Sequence, residues 1–354
     1  YTQVNSSAAS DVYKRQCLIF PAKESGGQID LFVNSMVREV TTDQEGRATG
    51  VSYINREDRK EYQLRAKVVV LAASACSTAR ILLNSKSPQH PNGLGNGSDL
   101  VGKYLHDSTG SSMAAFIPAL MNREIYNEDG VGGMHVYSPW WGDHKNLDFP
   151  RGYHIEVWGG MQMPNYGFGF NPNDFNKFFG LKTGGYGEQL RKDVRKYYGS
   201  VLGFGGRGES IARKDNYCEI DPTTVDEFGI PVLRFHYKWS DYERKQARHM
   251  QTTFQEIIHH MGGEPLWPVP SAENDYGLEP PGNIIHEVGT TRMGDDPRTS
   301  VTNRYQQLHE ADNVFITDAG PFVSQADKNC TWTILALSWR ASEYIVDQLK
   351  QQNI

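Results

Sequence analysis

Two residues near the end of the chain have the types and settings for proton-transfer chemistry. His286 sits in NIIHEVGTTRMGDDP, between an apolar entry and a Gly-Thr-Thr turn. An imidazole changes charge near neutral pH, so it can act as a general base. Asn329 sits in QADKNCTWTILAL, where the last helix is expected to start. Each has a plainer reading. A lone loop histidine is most often structural, and an Asn there is most simply an N-cap. Asp318, in ITDAG, would likewise cap a turn. Ser, His and Asp are all available for a hydrolase, but no GxSxG elbow is present. No HExxH and no clustered His/Cys spacing occurs, so no metal site is expected. GFGGRG at 203–208 does not follow a strand into a helix and is not read as a dinucleotide fingerprint.

These residues need elements to hold them. Strand-like runs, IDLFVNSMVREV, ATGVSYI from Ala48 and EYQLRA from Glu61, predict an antiparallel meander. The unbroken run Val68, Val69, Val70, Leu71 predicts a strand buried on both faces. Small residues follow it, and a helix is expected to start over Thr78–Leu83. Strand, small turn and helix is the geometry that lets backbone approach a nucleotide. Residues 110–210 are rich in Gly, Tyr, Trp and Pro and predict short strands with long loops. NYCEIDP and DEFGIPVLRFHY continue as β structure, with a turn at Glu227–Gly229. Ser240 with Glu243 fits a capping box. Ala247, Met250, Phe254, Ile257 and Met261 then form a helical stripe, which Gly262 and Gly263 stop. NVFITDAG predicts a buried strand into a tight turn. The final helix carries Ile334, Leu337, Ala341, Ile345 and Leu349 on one face. The order β/α, β insert, β/α indicates one domain split by another.

With 354 residues the chain is long enough for two domains. A net charge of -6 argues against nucleic-acid binding, which needs a basic face. No apolar run approaches the roughly 20 residues of a membrane span. The four cysteines, Cys17, Cys76, Cys218 and Cys330, are scattered and leave the redox compartment undetermined. The first 16 residues, YTQVNSSAASDVYKRQ, are polar, unpatterned and without an initiator Met. They are expected to be an unpacked sequence artefact, so targeting cannot be read from them.

Four separated blocks, in order, resemble the glucose–methanol–choline oxidoreductases. VNSMVREV with EGRATGV resembles that family's strand pair beside the adenine of FAD, which implies that Val37 offers its backbone there. VVLAASACSTARILLNS resembles the second family signature and would set Ala72, Ala73 and Ser74 against the cofactor. It reads Asn-Ser-Lys where many members have Ser-Gly-x-Gly. GESIARKDNYCEIDPTTVDEFGIPVLRF resembles substrate-domain strands. HEVGTTRMGDDPRTSV, NVFITDAG and KNCTWTILAL resemble the region that builds the active site.

The resemblance implies His286 as catalytic base and Asn329 as the second catalytic position. Asp318, Ala319 and Gly320 would lie beside the ribityl and pyrophosphate of FAD, and Cys330 and Thr331 beside the flavin. Cys330 stands where Pro is usual. The implied fold class is α/β plus β: a split, Rossmann-like FAD-binding domain at 17–109 and 285–354, with an antiparallel-sheet substrate domain at 110–284. The family's GxGxxG loop has no counterpart here, and the chain is expected to be the C-terminal part of such an enzyme. The implied activity is oxidation of an alcohol CH–OH, of a sugar or polyol, by hydride transfer to flavin. The alternatives are a sugar oxidase using oxygen and, of another class, an inactive fragment or an assembly module without flavin. Implied partners are an alcohol or sugar substrate and an electron-transfer subunit or cytochrome, in a bacterial periplasm. The aromatic residues Trp140, Trp141, Tyr153, Trp158 and Tyr166 are the expected lining of the substrate cavity.

Overall fold

The computed structural model describes residues 18–124, 136–138, 146–159 and 187–354. Trp140, Trp141, Tyr166 and the first 16 residues lie outside them. A short helix α1 (Phe20–Glu24) precedes a meander of β1 (Ser35–Thr42), β2 (Ala48–Asn55) and β3 (Glu61–Arg65). Both pairings are antiparallel, as the alternating pattern predicts, with a register shift between Val37 and Glu39. The run at Val68 becomes β4 (Val69–Leu71), followed by α2 (Ala75–Asn84). Val70 is 48% exposed, so this strand is not buried on both faces. Among the described residues β4 pairs only with β12 (Val314–Ile316), in parallel. Val69 and Leu71 face the core while Val70 faces outward.

The second sheet is built from β5 (Thr109–Phe116), β6 (Val136–Ser138), β7 (Tyr153–Gly159), β8 (Val201–Gly208) and the short β11 (Glu264–Pro265). Its order is β11-β5-β8-β7-β6, antiparallel throughout. A helix α3 (Gly187–Tyr197) precedes β8. The reading of 110–210 as strands and loops passed over it, although Leu190, Val194 and Tyr197 recur at i, i+4 and i+7 between charged residues. The hairpin of β9 (Tyr217–Val225) and β10 (Pro231–His236) closes with Gly229 N–H donating to Asp226 O.

Helix α4 (Asp241–His260) starts at the expected capping box. Glu243 Oε2 accepts from Ser240 N at 2.7 Å, and Tyr242 N donates to Ser240 Oγ at 3.3 Å. Its residues Met250, Phe254 and Ile258 pack on Met113, Ala115, Tyr153, Ile155 and Phe204 of the sheet. Met261 instead lies outside the helix, 36% exposed. A separate core joins Val40, Ala48, Leu71, Leu82, Leu308, Val314 and Ile316. The last helix, α5 (Thr331–Lys350), buries Ala341 fully, and Ile334, Leu337 and Ile345 in part. Leu349 ends the predicted stripe but is exposed. The architecture is thus a mixed α/β part and an antiparallel sheet backed by a helix.

Candidate active site

The second sheet, of five strands among the described residues, has two chemically different faces. Side chains alternate along a strand, so β7 sends Tyr153, Ile155 and Val157 toward α4 and His154, Glu156 and Trp158 the other way. On β8, Gly203, Gly205 and Arg207 share the second face. The register pairs His154 with Arg207, Glu156 with Gly205 and Trp158 with Gly203. A Cβ on Gly203 would come within 2.2 Å of the Trp158 indole, and one on Gly205 within 2.7 Å. Glycine is therefore required for the indole to lie flat on β8.

That second face carries buried charge. Glu156 Oε1 stands 3.3 Å from His154 Nε2, and Glu156 Oε2 stands 3.5 Å from Arg207 Nε. Asp327 Oδ2 lies 3.9 Å from His154 Nδ1. The Tyr137 ring lies 5.4 Å from the His154 ring, centroid to centroid. Buried charges are tolerated when paired, and pairing is what this face provides.

His286 faces this wall. Its side chain is half-buried, and desolvation, followed by the positive charge of Arg207, holds its pKa below the usual histidine value. Glu156 opposes that shift. His286 Nε2 is 3.4 Å from Asn329 Nδ2, across 43 residues of sequence. Asn329 does not cap the last helix. The N-cap is Cys330, whose side chain makes no capping bond, and Asn329 is instead aimed at the imidazole.

On its far side His286 is held by residues that sequence reasoning missed. Asp107 Oδ1 accepts from His286 N at 2.9 Å and from Ser108 N at 2.8 Å. Ser108 Oγ lies 3.4 Å from His286 Nδ1, and Gln325 Nε2 donates to Ser108 Oγ at 2.9 Å. Burial, and then the nearby Glu287 carboxylate, raise Asp107 to about 6. No local motif marks these partners, because the contacts join segments about 180 and 220 residues apart.

The residues expected around FAD lie on four segments of the chain. Ala72, Ala73 and Ser74 are exposed at the end of β4. Ser74 has a φ of 85° and caps α2 by accepting from Ser77 N. Asp318, Ala319 and Gly320 are buried in the turn after the parallel partner β12. Thr78 Oγ1 donates to Asp318 Oδ2, and Gly320 N donates to Asp318 Oδ1 at 2.8 Å. Cys330 and Thr331 open α5, the first half-buried and the second exposed. Val37 is half-buried at the register shift of β1.

This set fits a dinucleotide. Two parallel strands end side by side in small-residue turns, each turn is tied by Asp318, and α2 begins at one of them. Exposed N–H groups at a helix start favour phosphate. Among the described residues no group of three His, Cys, Asp or Glu is placed to hold a metal.

Of the aromatic residues expected in the cavity, Trp158 lies on the wall facing His286. Tyr153 does not. It is buried against α4, its hydroxyl 2.8 Å from both His249 Nδ1 and Thr253 Oγ1. It is two residues from Ile155 on the apolar face, so alternation assigns it to the core.

Comparison with known proteins agrees with this architecture. The two GMC oxidoreductase family models match residues 14–109 and 212–338. The chain belongs to the GMC oxidoreductase family, whose cofactor is FAD. It is 29% identical over 319 residues to a 2-methyl-1,2-propanediol dehydrogenase of Mycolicibacterium austroafricanum, covering 89% of this chain and 54% of that protein. It is 27% identical over 321 residues to the fructose dehydrogenase large subunit of Gluconobacter japonicus, covering 90% and 54%. The chain spans about half the length of the curated relatives it matches. Among solved structures, pyridoxine 4-oxidase from Mesorbium loti superposes with a TM-score of 0.57 at 16% identity, covering 88% of this chain and 57% of that one. Formate oxidase from Aspergillus oryzae gives 0.60 at 12%, covering 90% and 60%. At these identities the likeness is one of fold. Among the described residues no helix is long and apolar enough to cross a membrane.

Proposed function

We propose that this chain carries the catalytic wall of an FAD-dependent oxidoreductase that oxidises a CH–OH group of a sugar or polyol to a carbonyl. The observation that carries the reading is the approach of His286 Nε2 to Asn329 Nδ2, 3.4 Å apart, in front of a polar sheet face. Bound FAD supplies the acceptor for the hydride leaving the alcohol carbon. His286 accepts the hydroxyl proton at Nε2 as the alkoxide develops. Its depressed pKa keeps the ring neutral, and so basic, at neutral pH. Asn329 orients the hydroxyl. Trp158 gives a flat apolar surface for sugar C–H groups, and the Glu156–Arg207 pair offers charged hydrogen-bond partners to neighbouring hydroxyls. In this reading residues 17–109 and 285–354 hold the cofactor, and 110–284 hold the substrate.

The relatives' names support the substrate class, since they include a propanediol, a fructose and a gluconate dehydrogenase. A relative named as a large subunit supports assembly with a partner subunit, to which electrons would pass in this reading. Relatives named oxidases keep oxygen as the second reading of the acceptor. The test is anaerobic titration of the flavin-loaded protein with a panel of sugars, polyols and simple alcohols. Bleaching of the flavin by a polyhydroxy compound, with one carbonyl formed per flavin, is expected. A flavin that no alcohol on the panel reduces would contradict the proposal.

A further inference from the structure

We propose that Ser108 and Gln325 are positioning residues that fix His286 in the tautomer with its proton on Nδ1, leaving the Nε2 lone pair toward Asn329. The inference rests on the reading of His286 as the base. Neutral imidazole has one N–H and one lone pair, and the partner of each nitrogen decides which is which. Asn329 presents Nδ2 to His286 Nε2, and an amide nitrogen only donates. Nε2 must therefore accept, and the ring proton belongs on Nδ1.

Ser108 is built to receive that proton's hydrogen bond. Its Oγ has two lone pairs. Gln325 Nε2 donates to one, at 2.9 Å, and His286 Nδ1–H takes the other, at 3.4 Å. Gln325 is almost completely buried, so no solvent competes for the serine oxygen. Asp107 fixes the spacing, since one carboxylate oxygen holds the backbone N–H groups of both Ser108 and His286. The opposite tautomer would set Nε2–H against the Asn329 amide N–H, donor against donor. It would also leave no lone pair at Nε2 for the alcohol proton. When Nε2 takes that proton, the Nδ1–H bond to Ser108 remains and stabilises the imidazolium.

The test is nitrogen NMR of the protein labelled with 15N-histidine, with His286 assigned by His286→Gln. The parent is expected to show a protonated Nδ1 and an unprotonated Nε2. Ser108→Ala and Gln325→Leu should each shift the ring toward Nε2–H, and Ser108→Thr should restore the parental signature. In the flavin-loaded protein Ser108→Ala should lower the flavin-reduction rate about 10- to 100-fold, with little change in substrate KM. A parent ring protonated at Nε2 would overturn the proposal. So would folded Ser108→Ala and Gln325→Leu variants that both keep the parental tautomer. In that second case, loss of flavin reduction in His286→Ala would leave the base standing while removing its positioning residues.

Discussion

Thr78 donates its hydroxyl proton to Asp318 at 2.5 Å, across 240 residues of sequence. This buried bond ties the start of α2 to the turn after β12, so the ends of the two parallel strands are held together. Asp318 also fixes Gly320 N. Burial raises the Asp318 pKa, and the Thr78 and Gly320 donors oppose that shift. Removing one partner of a buried hydrogen bond leaves the other unpaired, at a cost of about 1–3 kcal/mol. Thr78→Val is nearly isosteric and should lose that much in urea denaturation. A loss below about 0.5 kcal/mol, typical of surface substitutions, would show that the bond does not hold the turn.

Asp107 gives a pH signature. Its folded pKa is about 6 against an ordinary 3.8, so the native state holds the proton more tightly than the unfolded chain. The resulting stability is complete below about pH 4 and is lost as pH rises through 6. At neutral pH the buried carboxylate is a burden on the order of 3 kcal/mol. Asp107→Asn keeps an oxygen for His286 N but has no charge to bury. Its stability relative to the parent should rise from pH 4 to pH 7, measured by denaturation at each pH. A difference that stays flat over that range would rule out the burial assigned to Asp107.

The base itself should titrate early. Around His286 stand His154, Glu156 and Arg207 on the sheet, with the Asp107 carboxyl behind it. Burial and Arg207 lower its pKa, so the neutral form is already present below pH 6.5. The flavin-reduction rate should climb with pH, with its midpoint below that value. Arg207→Met should move the midpoint up, because a positive neighbour is removed. Glu156→Gln should move it down. Shifts in the reverse directions would show that these charges do not face His286.

Much of this was legible in the sequence, for identifiable reasons. Local rules found what local contacts make: the Ser240–Glu243 box, the meander from Ser35 to Arg65, and the stripe of Met250 and Phe254. Family-like motifs pointed to His286 and Asn329, although N-cap statistics alone would have made Asn329 a helix cap. The wall was harder to see. On β7 the alternation is regular, but both faces are enclosed, so His154 and Glu156 look like surface residues while lying buried. Tyr153 and Trp158 were grouped by composition, yet they point to opposite faces. Val70 sits in an apolar run but is exposed, since its strand has one described neighbour and one covered face. Asp107, Ser108 and Gln325 could not be found from pattern, because their meaning lies in contacts with His286 that only the folded chain makes.

The most direct test of the account is anaerobic stopped-flow reduction of the flavin-loaded protein by its best polyol, beside His286→Ala. The variant should still bind flavin and substrate, while reduction slows about 10²–10⁴-fold. Reduction at the parental rate would contradict it, and His286 would then be a structural histidine in a loop.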